Sequence, residues 1–374
     1  MERYFGESIP KLGFGLMRLP KTDGKIDIEQ TKKMVDMFME AGLTYFDTAY
    51  VYDNGESEKA AKAALVDRYP RESFTLCTKL CAWMGDHSEE KAKQQFYTSL
   101  ERTGAGYFDY YLLHALQRNN YKLYDDYHIW DFVKEQKAKG LIKYYGFSFH
   151  ADPALLEELL TDHSDVDFVQ LQINYADWEN PGVASRECYE TARRFGKSIV
   201  IMEPVKGGAL ADPVPAVKKL LNTANPNASC ASWAIRYAAS LDGIMTVLSG
   251  MSNIEQMKDN LSYMKEFKPL TEAEQAVILK ARSMLSGDKS IPCTGCHYCT
   301  DGCPMNIPIP EIFTVANRQR GNEAFRGRRE YTIATTGRGK ASDCVECGQC
   351  ENACPQQIDV INRLKACAER FERE

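Results

Sequence analysis

Through the first 285 positions, short apolar runs closed by turn residues alternate with stretches whose apolar residues recur every three or four positions. The short runs predict strands at 12–16, 44–47, 74–78, 108–113, 144–148, 168–172, 198–203 and 245–248. The longer stretches predict helices at 28–41, 89–100, 125–139, 153–160, 185–195, 229–238 and 255–263. The first helix carries Val35, Phe38 and Met39 on one side, the second Phe96, Tyr97 and Leu100. Strand and helix in alternation over this length predict an α/β fold, a parallel (β/α)8 TIM barrel. A doubly wound open sheet is the alternative. It lacks support because no Gly-x-Gly-x-x-Gly turn follows the first strand, and Gly13-Phe14-Gly15 is too short to be one. In a barrel the strand ends share one mouth, and here they carry Asp47, Lys79, His114, Ser148, Gln172 and Glu203.

Thr271-Glu272-Ala273-Glu274 opens a capped helix that closes this region. Ser286-Gly287-Asp288 reads as a linker, after which the composition shifts to Cys, Pro, Gly and Arg. The expected domains are therefore 1–285 and 286–374. A chain of 374 residues, 44% hydrophobic, is long enough for one large core and one small one. No apolar run is long enough to span a membrane, and no signal peptide opens the sequence. A formal charge of −6 argues against a nucleic-acid partner. Of thirteen cysteines, four are scattered at 77, 81, 188 and 230, and packing accounts for Cys77 and Cys81, which have no partner pair nearby. Eight of the remainder form two copies of Cys-x2-Cys-x2-Cys-x3-Cys-Pro. That is ligand spacing rather than a disulfide framework, and it points to a reducing, cytoplasmic setting.

Residues 44–58 hold the candidate chemistry. An apolar strand breaks into a loop that carries Asp47 and Tyr52, Asn54-Gly55 turns the chain, and Glu56-Ser57-Glu58 starts a helix. A tyrosine hydroxyl titrates near ~10 in water, too high to protonate an alkoxide readily. An ammonium beside it, from Lys79, would lower that value. Asp47 would hold Lys79 charged, and His114 would polarise a carbonyl by hydrogen bonding. Phe46-Asp47-Thr48-Ala49 with Tyr52, Thr78-Lys79-Leu80 and Leu112-Leu113-His114 together resemble the catalytic segments of aldo-keto reductases, over roughly residues 5–265. The resemblance implies reversible reduction of small aldehydes and ketones with NADP or NAD. Its family spacing selects Tyr52 over Tyr50 as the acid.

The resemblance also implies a set of cofactor contacts: Gly15, Met17, Ser148, Gln172, Met202, Pro204, Lys206, Gly250, Ser252, Gln256 and Asn260. Several positions depart from the family pattern. Phe149 stands where an asparagine would meet the nicotinamide amide. Met202-Glu203-Pro204 stands where a tyrosine would stack on the ring. Gln256 stands where an arginine would hold a 2′-phosphate, and a neutral amide makes no charge-assisted bond there. NAD is therefore as open as NADP. Trp83, Trp130 and Trp178 are candidate linings of the mouth.

In the tail, three closely spaced cysteines grip three corners of a cubane, and the fourth of each run reaches across to the other cluster. The expected sets are Cys293, Cys296, Cys299 with Cys354, and Cys344, Cys347, Cys350 with Cys303. The tail is thus read as a small, mainly helical 2[4Fe-4S] ferredoxin-like domain, with a helix at 309–319 between the runs. Zinc is the structural alternative for such cysteines. Cys367 lies outside the pattern. Arg318, Arg320, Arg326, Arg328, Arg329, Arg338 and Lys340 form either a solvated basic stretch or a docking face for an acidic carrier such as ferredoxin or flavodoxin.

Together these features describe a nicotinamide-dependent carbonyl reductase fused to an electron-transfer domain. Two other readings are a redox-sensing nicotinamide-binding module and an electron-transfer partner subunit. A flavin would bridge hydride and one-electron chemistry, but no flavin motif is seen.

Overall fold

A computed structural model describes residues 2–83, 88–285, 290–318 and 324–372. The expected linker at 286–288, and Gln319 and Arg320, lie outside the described residues. The chain divides into two units, one of 1–205 and 210–283, the other of 206–209 and 284–374.

The first unit is a closed, all-parallel barrel of eight strands among the described residues: β1 Leu12–Gly15, β2 Tyr45–Asp47, β3 Thr75–Leu80, β4 Phe108–Leu116, β5 Ile142–Phe149, β6 Phe168–Gln172, β7 Ser198–Met202 and β8 Ile244–Ser249. Each pairs with its sequence neighbours, and β1 closes on β8 through Leu12 and Val247. Side chains alternate between the lumen and the helix layer. Tyr45, Cys77, Tyr110, Leu112, Phe168, Val200 and Met245 fill the lumen floor, against Phe5 and Ile9 of the N-terminal segment. Leu76, Leu113, Phe147, Val169 and Ile201 join the outer core with the helices. Cys77 and Cys81 are buried, as packing residues should be.

All eight predicted strands are present, within a few residues of the predicted bounds. One helix prediction needs correction. The stretch 125–139 is not continuous: Lys122–Asp126 and Ile129–Ala138 are separate helices. His128 between them has φ +50°, a left-handed conformation that breaks the ladder of hydrogen bonds. A helix at Pro215–Ala224 was not anticipated. Thr271 and Glu274 form the expected reciprocal cap at the start of Glu272–Leu285: the Glu274 carboxylate accepts from the Thr271 N–H at 2.8 Å, and the Thr271 hydroxyl accepts from the Glu274 N–H at 3.3 Å.

The second unit packs helices Ile309–Arg318, Ala324–Thr335 and Val360–Phe371 around Ile307, Ile312, Phe313, Tyr331, Leu364 and Phe371. Tyr331 stacks on Phe371 with ring centroids 5.3 Å apart, and its hydroxyl accepts from the Ala341 N–H. Cys367 is buried on the last helix. No described helix is long and apolar enough to cross a membrane.

Candidate active site

The C-terminal ends of β2, β3 and β4 bring Asp47, Lys79 and His114 to one mouth, and the loop after β2 adds Tyr52. The Lys79 Nζ donates to Asp47 Oδ1 at 2.5 Å, to the Thr48 carbonyl at 2.8 Å and to Tyr52 Oη at 3.2 Å. Lys79 is 1% exposed and Asp47 2%. Burial raises the Asp47 carboxyl above its usual range, and the Lys79 ammonium opposes that rise. A lone carboxylate or ammonium would not be tolerated here; the pair is, because each offsets the other's desolvation. The His114 ring packs edge-on against Tyr52, centroids 5.7 Å apart. Burial, then repulsion from Lys79, holds His114 well below the usual histidine range, so its ring is neutral at pH 7. Its backbone carbonyl accepts from the Trp83 indole N–H at 3.1 Å and from the Tyr124 hydroxyl.

The loop that carries Tyr52 is strained and pinned. Asp53, Asn54 and Gly55 all have positive φ. Underneath lies an ion pair that the sequence did not reveal. Glu58 is fully buried, accepts from the Thr78 hydroxyl at 2.7 Å and pairs with Arg102 at 3.3 Å. Arg102 also donates to the Tyr50 carbonyl at 3.0 Å. Ser57 ties the helix start to the Leu16 carbonyl at 2.9 Å. An acid in a first helical turn normally reads as solvated, so only tertiary packing identifies Glu58. Gly55 has φ +88°, and a Cβ there would lie 2.5 Å from the Arg102 guanidinium. Gly55→Ala is expected to cost about 1 kcal/mol or more in stability and to lower turnover several-fold by displacing Tyr52. Denaturant midpoints measured beside kcat will show both effects.

In the second unit the two cysteine runs share one backbone course. Gly295, His297 and Asn306 have positive φ, as do Glu346, Gly348 and Gln357 at the matching places relative to their own cysteines. Short helices Tyr298–Asp301 and Gln349–Asn352 carry the third cysteine of each run. Cys299 is half-buried, and the thiols that raise its pKa further are Cys296, Cys293, Cys354 and Cys350. A recess of about 330 Å³ is lined by Cys303, Cys344, Cys347 and Cys350, with Ile307, Ile309 and Leu364 as its apolar wall. The donor set is all sulfur, which suits iron–sulfur chemistry.

The family model of the aldo/keto reductase family matches residues 11–282. The chain belongs to the aldo/keto reductase family. A 4Fe-4S dicluster domain model matches residues 292–358. The reductase barrel is similar to that of an aldo-keto reductase of Bacillus halodurans in its holo form, at 28% identity and TM-score 0.61, covering 75% of this chain and 95% of that one. Among curated relatives, an aldo-keto reductase of Mycolicibacterium smegmatis is 29% identical over 56% of this chain and 69% of its own. An uncharacterized oxidoreductase of Bacillus subtilis is 24% identical over 71% and 90%. The protein is thus an oxidoreductase barrel joined to an iron–sulfur domain.

The remaining strand ends of the reductase barrel suit a carboxamide. Ser148 is buried at the end of β5, where its hydroxyl oxygen accepts from the Ala115 N–H at 2.7 Å and its own proton can be donated elsewhere. Gln172 directs its Nε2 toward Asp177 at 3.4 Å, which turns its carbonyl oxygen the other way. Asp177 is buried and also accepts from Asn174 at 2.9 Å, a supporting network with no sequence signal. A hydroxyl donor and a carbonyl acceptor are what an amide's carbonyl and NH2 would need. Gly15 packs against the Ser249 carbonyl, and Met17 and Met202 are half-buried. Pro204 is buried, and Gly250 lies beside Arg18. Gln256 is exposed and accepts from the Ser252 N–H at 2.7 Å. Asn260 is buried, with its amide engaged by Ser249 at 2.6 Å and Tyr263 at 2.5 Å. Lys206 falls in the short segment grouped with the second unit. Glu203, whose charge would be unwelcome beside a pyrophosphate, stands 3.7 Å from Arg18. Of the three tryptophans, Trp83 borders His114. Trp130 does not line the mouth: it is buried in the helix layer, stacked on His163 at 3.7 Å. Trp178 packs on Tyr189 and Tyr237.

Proposed function

We propose that the barrel interconverts small carbonyl compounds and alcohols with NADP or NAD, using Tyr52 as the proton donor. The observation that carries this reading is the Lys79 ammonium held between Asp47 and the Tyr52 hydroxyl. Ser148 and Gln172 would hold a nicotinamide at its carboxamide, with Gly250, Ser252 and Gln256 toward its phosphates, and the cofactor would supply or take up the hydride when bound. Tyr52 Oη gives its proton to the carbonyl oxygen, so hydride and proton together complete the alcohol. The Lys79 charge lowers the cost of leaving a phenolate. Asp47 keeps that charge in place, and the neutral His114 ring orients the carbonyl oxygen through an N–H. Trp83 and Tyr124, bonded to the His114 carbonyl, fix its backbone. Oxidation of NADPH and NADH with a panel of small aldehydes tests this directly. Equal slow rates in wild type and Tyr52→Phe would count against it.

The tail is proposed to hold two [4Fe-4S] clusters with exchanged fourth ligands: Cys293, Cys296, Cys299 and Cys354 for one, and Cys344, Cys347, Cys350 and Cys303 for the other. A cluster supplies one-electron transfer when present. The recess that Cys303 lines together with Cys344, Cys347 and Cys350 supports the exchange. Cys354→Ser is expected to lower iron and acid-labile sulfide by about half. Adding Cys293→Ser should remove little more, because both residues serve one cluster, whereas adding Cys344→Ser should remove nearly all. The opposite pattern would show that each run closes its own cluster. An acidic ferredoxin or flavodoxin is the proposed partner for the basic stretch that includes Arg328 and Arg329. Anaerobic addition of NADPH, with and without flavin, reads electron coupling by the bleaching of cluster absorbance.

A further inference from the structure

Strand β5 ends in Gly146-Phe147-Ser148-Phe149, followed by His150, and the strand's alternation sorts its residues between two environments. Phe147 and Phe149 belong to the outer core, and their rings stand 6.2 Å apart, with Trp130 packed on Phe147. Gly146, Ser148 and His150 have the other parity, on the lumen side. The His150 N–H donates to the Leu116 carbonyl at 3.0 Å, so the strand register runs on to His150. His150 therefore stands one layer beyond Ser148, beside the end of β4 that bears His114. The two rings are close enough that His150 adds to the forces disfavouring a proton on His114.

The His150 Nδ1 is buried and has no hydrogen-bond partner among the described residues. Leaving such a group unsatisfied is unfavourable, and a ligand can relieve that cost. Burial also pushes the imidazole down to about 4, so it stays neutral and can donate or accept. His150 is half-buried as a residue, whereas Phe149 is 2% exposed. Phe149 cannot serve the mouth, because it belongs to the helix layer.

We infer that His150 is a substrate-binding residue whose ring hydrogen-bonds a second oxygen, a hydroxyl close to the carbonyl carbon that Tyr52 and His114 serve. The substrate class is accordingly short hydroxy-aldehydes and hydroxy-ketones rather than plain alkanals. This rests on the carbonyl-reductase reading of the same site. The spacing supports it: the two histidines end adjacent strands, so neighbouring oxygens on a short carbon chain can meet one each.

Lactaldehyde and propanal differ by that hydroxyl alone. Wild type is expected to favour lactaldehyde by about tenfold in kcat/KM. His150→Phe should bring the ratio close to one, and His150→Asn, which keeps a polar group, should retain part of it. An unchanged ratio in His150→Phe overturns the assignment, as does a raised KM for NADPH with the ratio intact. Binding of hydroxyacetone and acetone to the NADP-loaded full chain, followed by ligand-observed NMR, reads the same preference without turnover. Absence of turnover with either aldehyde sinks the reductase reading, whereas equal binding of the two ketones sinks the role of His150. Should His150→Phe not fold, the wild-type preference decides: its absence in both measurements overturns the proposal.

Discussion

Tyr52→Phe is expected to lower kcat for carbonyl reduction by about 10²–10⁴-fold, the range for losing a positioned proton donor. NADPH binding should stay within a few-fold, because no cofactor contact is assigned to the hydroxyl. The ring's edge contact with His114 and its position 4.7 Å from the Lys79 ammonium survive in phenylalanine, so the loop keeps its packing. The pH profile sharpens the assignment. His114 is held neutral by burial and by Lys79, so kcat should show no step in the ordinary histidine range near pH 6.5. A step there would mean that His114 exchanges protons during turnover, and Tyr52 would lose its role. Stopped-flow NADPH oxidation across pH, in wild type and variant, measures both.

Lys79→Met is the second large effect, and it acts on stability as well as rate. It leaves the Asp47 carboxylate buried without its counter-charge. Breaking a buried pair on one side costs about 3–5 kcal/mol. The sign of the pH dependence follows from the direction of the shift. Burial holds the folded Asp47 pKa above its unfolded value, and the loss of Lys79 raises it further. The folded state then takes up the proton first as pH falls, so the variant's deficit should shrink toward acid and grow toward neutral pH. Adding Asp47→Asn should recover part of the lost stability but none of the activity. Chemical denaturation at several pH values checks each point. A deficit that grows toward acid would contradict the buried-pair account.

The barrel was legible because its strands are short apolar runs separated by amphipathic helices, a pattern that survives small errors at element ends. Asp47, Lys79 and His114 were legible because chemistry at strand ends leaves polar residues where apolar ones would continue. The break at His128 was not, since no turn residue marks it in the sequence and only the left-handed His128 backbone shows it. Glu58, Arg102 and Asp177 were hidden for a related reason. A charged residue that is buried by tertiary contacts looks, in sequence, like any solvated one. Trp130 misled because sequence alone does not say which way an aromatic faces: it lies on the helix Ile129–Ala138 and packs within the helix layer. The cysteine runs were legible by spacing, and the expected exchange of their fourth cysteines is consistent with Cys303 lining one recess with Cys344, Cys347 and Cys350.

Ultraviolet difference titration of the phenolates is the most direct probe of a charge-activated Tyr52. Wild type minus Tyr52→Phe should show one tyrosine that ionises below the ordinary range, and in Lys79→Met that same group should move upward. A Tyr52 signal that titrates alike with and without Lys79 would contradict the account.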